Sequence, residues 1–156
     1  MPARGTQCNI QRHEAMSTVQ LTHDADRHGI AVKEPGHKSV ALGCTYHGPE
    51  IEELSAGDLV ATGVAGCMLF SMGVQARHDE LDIKGTVVDI AFTMTDVPFP
   101  HMDSITLVFN MPRDYAPKDR EKLEKAAGRC PIKASFRPET SIIAKYNYAS
   151  EMASMN

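Results

Sequence analysis

The sequence lacks the features that mark several large classes of protein. No stretch reaches the roughly 18 uncharged apolar residues of a membrane-spanning helix, and the N-terminal residues have no apolar core typical of a signal peptide. Lysine and arginine number 16 against 20 acidic residues, and no basic cluster indicates binding to nucleic acid. We therefore expect a protein of the cytoplasm that has neither membrane nor nucleic acid as a partner.

The motifs of the common cofactors and metals are also missing. There is no Gly-x-Gly-x-x-Gly sequence and no phosphate-binding loop, so a nucleotide cofactor has no support. Cys-x-x-Cys and His-Glu-x-x-His are absent, as is the Gly-x-Ser-x-Gly elbow of the α/β-hydrolases. We therefore predict no cofactor and no metal site.

What the sequence does contain is an α+β pattern long enough for one domain with a hydrophobic core. Residues 1–16 are polar and unpatterned, and we predict a flexible segment there, followed by a single domain over residues 17–150. The domain is predicted to begin with short strands that form an antiparallel meander, at 18–22, 30–33 and 38–42. The later elements are a central helix, a hairpin, an amphipathic helix and a closing strand, at 59–78, 85–110, 117–127 and 140–148.

Two of the four cysteines stand in contrasting surroundings. Cys67 lies in the central helix among small and apolar residues, which is typical of a buried, inert thiol but also leaves room for a substrate. Cys130 follows Arg129 and precedes Pro131, which suits the first position of a short helix. A helix N-terminus beside Arg129 and Lys133 favours the thiolate, so Cys130 is either an activated thiol or a small capping residue.

The surroundings of these cysteines resemble the OsmC/Ohr family, the osmotically inducible and organic hydroperoxide resistance proteins. Residues 55–59 (SAGDL) and 61–67 (ATGVAGC) are similar to its first cysteine motif, and residues 129–132 (RCPI) are similar to its second. The order and separation of the motifs fit, and the resemblance covers about residues 18–148. It implies an OsmC-like fold, in which antiparallel sheets pack around two central helices in an intertwined homodimer with its sites at the subunit interface.

The resemblance also implies a chemistry. Cys67 would be the peroxidatic cysteine, whose thiolate attacks an organic hydroperoxide and becomes a sulfenic acid. Cys130 would resolve it as an intramolecular disulfide, which a dithiol reductant such as a lipoyl group would reduce again. The family's peroxidases orient an activating arginine with a glutamate ten residues before the first cysteine, where this sequence has Gly57. Asp58 or Glu52 is the candidate replacement, and Arg27 is the candidate arginine.

Two classes of function therefore follow from the sequence. The first is a thiol-dependent peroxidase for organic hydroperoxides in the defence against oxidative stress. The alternative is an OsmC-like protein without peroxidase activity, which binds a small hydrophobic ligand or reacts with other electrophiles at the dimer interface.

Overall fold

The structure is a computed structural model that describes residues 20–22, 29–32, 40–43 and 54–154. It divides into two compact units, Met1–Glu53 and Leu54–Asn156. The segment predicted to be flexible, residues 1–16, lies outside the described residues.

The first unit contains an antiparallel meander, as predicted. Its strands are β1 (Gln20–Thr22), β2 (Gly29–Val32) and β3 (Val40–Gly43). In the register of the first pair, Leu21 lies opposite Ala31, and β2 pairs with β3 in the same antiparallel sense.

The second unit begins with β4 (Leu54–Ser55), which leads directly into the long helix α1 (Ala56–His78). A capping box starts the helix: the Ser55 hydroxyl accepts the N–H of Asp58 at 3.1 Å, and the Asp58 carboxylate accepts the N–H of Ser55 at 2.8 Å. The helix thus begins three residues earlier than the hydrophobic pattern predicts, because the cap, and not the first apolar residue, defines its start.

One face of helix α1, which we call the buried stripe, contributes to the hydrophobic core of this unit. Buried side chains recur along it at helical spacing, at Ala61, Val64, Ala65, Met68, Met72 and Ala76. Within the described residues, α1 is also the one helix that is long and apolar enough to cross a membrane by length and composition. The core helix of a soluble protein has the same length and composition.

The stripe packs against a three-stranded sheet made of β5 (Val87–Thr95), β6 (His101–Asn110) and β7 (Ser141–Asn147). The central strand β6 buries alternate residues, Ile105, Leu107 and Phe109, which confirms the face predicted for it. Strands β5 and β6 form the predicted antiparallel hairpin, whereas β7 runs parallel to β6 and so departs from a wholly antiparallel sheet. The long helical connection between β6 and β7 permits the parallel pairing.

That connection contains α2 (Pro117–Gly128) and α3 (Pro131–Ala134), both of which pack against α1. Pro117 occupies the first turn of α2, as predicted, and Leu123, Ala126 and Ala127 form its buried face. A short C-terminal helix, α4 (Ala149–Ala153), was not expected, because the hydrophobic pattern ends with β7.

Candidate active site

Cys67 lies at the middle of α1, at the edge of the buried stripe. Its side chain packs against the core but is only partly buried, and it is a free thiol. The glycines before it leave space: a Cβ added at Gly63 or at Gly66 would meet nothing within 4 Å. The backbone of α1 is therefore open to close approach at these two glycines, which precede Cys67 by four residues and by one.

Cys130 lies at the junction between α2 and α3, and it is buried. Its exposed fraction is 1%, and it belongs to the same core cluster as the apolar stripe of α1. As predicted, it is the N-cap of α3, and its Sγ accepts the N–H of Lys133 at 3.3 Å. Helix α2 carries the residue into the core, since its own buried face packs beside α1.

The fold brings these two thiols together although 62 residues separate them in the sequence. The Cys67 side chain lies close enough to the Cys130 thiol to raise its pKa. Both thiols are free. An oxidation of Cys67 would therefore take place beside a second thiol that can react with it.

The pKa of Cys130 shows that one expectation was wrong. A helix N-terminus and two cationic neighbours were expected to favour its thiolate, but burial raises the pKa of this thiol, and the proximity of Cys67 raises it further. The N–H groups of Lys133 and Ile132 lower the pKa, but to a smaller extent. Desolvation prevails because the Cys130 sulfur lies inside the core while Arg129 is exposed to solvent.

Asp58, a candidate for the supporting carboxylate, is engaged in the helix cap. Its Oδ2 accepts both the N–H and the hydroxyl of Ser55, at 2.8 and 2.6 Å. Cys67 lies nine positions further along the helix, a distance of about 14 Å along the axis. Asp58 thus stabilises the start of α1, and it lies too far along the helix to touch the Cys67 sulfur.

The position of the missing glutamate is filled by an aromatic ring. A Cβ added at Gly57 would lie 2.5 Å from Cζ and 2.7 Å from Cε2 of Phe92, a side chain of β5 that packs against the core. Sequence reasoning missed this contact, because nothing in the pattern of β5 indicates which part of α1 its side chains meet. Gly57 is therefore the residue that allows Phe92 to lie against the first turn of α1.

The two remaining candidates, Arg27 and Glu52, lie outside the described residues, as do Cys8 and Cys44. Among the residues from 54 to 154, no group of three or more histidine, cysteine, aspartate or glutamate side chains is arranged to hold a metal ion.

An ionic contact joins α1 to α2 at the far end from the thiols. Asp79 caps α1 and accepts hydrogen bonds from Gln75 at 2.8 Å and from Lys122 of α2 at 3.1 Å. Hydrogen bonds from His78 first, then Gln75 and Lys122, lower the Asp79 pKa to about 2. Because Asp79 follows Cys67 while Lys122 precedes Cys130, the two helices run in opposite directions, and this contact limits sliding between them.

The side of α1 opposite the buried stripe is apolar, and no residue from 54 to 154 covers it. We call it the open face of α1, and its members are Val60, Gly63, Gly66, Phe70 and Val74. Phe70, one turn beyond Cys67, is 73% exposed, and Val74 is 51% exposed. An exposed apolar stripe of this length indicates a contact with another molecule.

A family model described as OsmC-like protein matches residues 47–145, which include both thiols and the helices that carry them. The chain belongs to the OsmC-like family. No match was found among curated proteins.

Solved structures show that the OsmC-like chain shares the fold of its relatives. A Psychrobacter arcticus protein, described as an osmotic stress induced and detoxification response protein, has a TM-score of 0.77 at 23% identity, over 87% of this chain and 99% of that one. The organic hydroperoxide resistance protein OsmC of Legionella pneumophila has a TM-score of 0.66 at 15% identity, over 86% and 99% of the two chains. OhrB of Bacillus subtilis, an organic hydroperoxide resistance protein, has a TM-score of 0.62 at 18% identity, over 83% and 98%. At these identities the likeness establishes the fold alone.

Proposed function

We propose that this protein is a thiol peroxidase that reduces organic hydroperoxides, with Cys67 as the reacting thiol and Cys130 as the resolving thiol. The observation that supports this best is the pairing of a partly exposed thiol with a buried one inside a single chain. The family membership supports the same chemistry, since two of the similar solved structures are organic hydroperoxide resistance proteins.

The reaction begins at the more accessible sulfur. The Cys67 thiolate attacks the terminal oxygen of the hydroperoxide, the O–O bond breaks, and the alcohol leaves after taking up a proton. The sulfur loses two electrons and becomes a sulfenic acid. Cys130, as its thiolate, then attacks the Cys67 sulfur and displaces hydroxide, which leaves as water. The product is a Cys67–Cys130 disulfide.

The cycle closes when a dithiol supplies two electrons and is itself oxidised to a disulfide. A lipoyl group is the reductant that we propose, and we propose the cytoplasm as the location. A reducing compartment suits this chemistry, because a disulfide formed there is transient.

We also propose that the protein acts as a homodimer whose subunits meet along the open face of α1. Burying an exposed phenylalanine and two exposed valines on each side of a twofold axis would give a self-complementary apolar contact. The glycines of this face, Gly63 and Gly66, allow a second helix to approach closely.

One observation favours a second candidate function. At position 57 there is a glycine, and Phe92 occupies the space beside it. At position 58 the aspartate carboxylate is engaged in the helix cap. Neither position therefore supplies a free carboxylate to orient an arginine. Without such a pair the protein would bind a small hydrophobic ligand at the dimer interface, or react with electrophiles other than peroxides.

Mass spectrometry of the reduced protein, after one equivalent of cumene hydroperoxide, distinguishes the two candidates. The peroxidase should rapidly lose two hydrogen atoms, mapped to a Cys67–Cys130 bridge. The Cys130→Ser variant should instead accumulate a sulfenic acid on Cys67 that dimedone traps, and the Cys67→Ser variant should leave the hydroperoxide unconsumed. Unchanged thiols, or slow oxidation spread over all four cysteines, would refute the peroxidase and favour the second candidate.

A further inference from the structure

The two sulfurs of a Cys67–Cys130 disulfide would differ in their access to an external thiol. Cys130 is 1% exposed and lies within the core, whereas Cys67 is only partly buried. The reductant must contact the sulfur that it attacks, so this difference in access favours one of the two sulfurs.

Thiol–disulfide exchange has a strict geometry. The attacking thiolate approaches along the S–S axis, on the side opposite the sulfur that leaves, and a mixed disulfide forms. Attack on Cys67 comes from the side that faces away from Cys130. Attack on Cys130 would have to come from the side that faces away from Cys67, but Cys130 is 1% exposed and belongs to the core cluster that also contains Leu123 and Ala127.

We propose, on the basis of the peroxidase function above, that the reducing dithiol attacks only the Cys67 sulfur and that Cys130 is the leaving thiolate. The first thiolate of the dithiol forms a mixed disulfide with Cys67, and the S–S bond to Cys130 breaks with its electron pair on the Cys130 sulfur. The second thiolate of the dithiol then attacks its own partner sulfur and releases Cys67. The dithiol ends as a cyclic or linear disulfide, and two protons restore the two thiols.

The groups around Cys130 fit the role of a leaving sulfur. The Lys133 N–H already points at its Sγ, at 3.3 Å, and this donor stabilises the negative charge that arrives there. Burial opposes that charge, so the choice of sulfur depends on access and not on the better leaving group. The hydroperoxide must reach Cys67 as well, so the reductant follows the path that the substrate uses.

The test forms the disulfide with an oxidant other than a hydroperoxide, so that it does not depend on peroxidase activity. The full chain carrying Cys8→Ser and Cys44→Ser is oxidised with diamide to the Cys67–Cys130 disulfide. It is then exposed briefly to glutathione, quenched in acid, denatured and alkylated with N-ethylmaleimide at mildly acidic pH. Peptic peptides should carry glutathione on Cys67 and the maleimide on Cys130, in at least about tenfold excess over the reverse arrangement.

The other outcomes distinguish a failure of this inference from a failure of the proposed peroxidase function. Glutathione on Cys130, or equal amounts on both, would overturn the inference while leaving the peroxidase intact if the hydroperoxide still produces the disulfide. Failure of diamide to form the bridge would overturn both the inference and the resolving role of Cys130. Exclusive attack on Cys67 in a protein that ignores hydroperoxides would uphold the inference on exchange and refute the proposed function.

Discussion

The contact between Gly57 and Phe92 makes a sharp prediction about stability. A methyl group at position 57 would lie 2.5 Å from Cζ of Phe92, whereas carbon atoms in contact are ordinarily about 3.5–4.0 Å apart. The Gly57→Ala substitution must therefore displace the ring by about 1 Å. Because Phe92 packs against the core, this displacement disturbs its other contacts.

The expected cost comes from two opposing effects. Overpacking of this size costs about 1–3 kcal/mol, and replacing a helical glycine with alanine recovers up to about 1 kcal/mol. We expect Gly57→Ala to lower the free energy of unfolding by about 1 kcal/mol and the melting temperature by about 3 °C. Gly128→Ala is the matched control: it adds a methyl group to a helical glycine where a Cβ meets nothing within 4 Å, and it should not destabilise the protein.

Thermal and urea unfolding of the variants measure the effect. A shorter side chain at position 92 should relieve the clash, so Gly57→Ala should cost less in a Phe92→Leu background than in the natural chain. A Gly57→Ala variant as stable as the natural protein would refute the reasoning, and so would a cost that Phe92→Leu leaves unchanged.

The titratable groups and the open face of α1 provide three more tests. Hydrogen bonds, from His78 first and Lys122 among the others, lower the Asp79 pKa to about 2, so their contribution to stability is lost as the pH falls from about 4 towards 2. In circular dichroism, Lys122→Met should therefore begin to unfold at a higher pH than the natural protein. Burial raises the Tyr146 pKa to about 12, so its contribution is present below pH 10 and is lost as the pH rises through 12. Tyr146→Phe should show a flatter decline of melting temperature above pH 10, and an equal slope would contradict this. In sedimentation velocity, Phe70→Glu should convert the proposed dimer to a monomer, and an unchanged sedimentation coefficient would exclude the open face as the interface.

Local signals in the sequence predicted most of the secondary structure. Pro117 and Gly128 bound α2 because one suits a first helical turn and the other a last residue, and both act within a few positions of themselves. The N-cap position of Cys130 was likewise readable from the proline that follows it. Alternating apolar residues predicted β6, whose inner face is buried as expected.

The electrostatics of Cys130 could not be read in this way. The charged neighbours of Cys130 and its place at a helix N-terminus can be inferred from the sequence, and both favour the thiolate. The burial of its sulfur in the core cannot be inferred from the sequence, because it depends on how α2 packs. The sign of a pKa shift depends on the balance between charge and desolvation. Desolvation depends on residues far away along the chain, such as Met68 of α1.

The sequence by itself determined that this is an α+β protein of the OsmC-like family with two motif cysteines, since motifs, caps and periodicity are local. Only the tertiary structure decided that the second cysteine is the buried one and the first the accessible one. It also decided that Phe92, and not a carboxylate, fills the first turn of α1. The physical reason is that burial and side-chain contact join residues from different elements, and no local pattern records which elements meet.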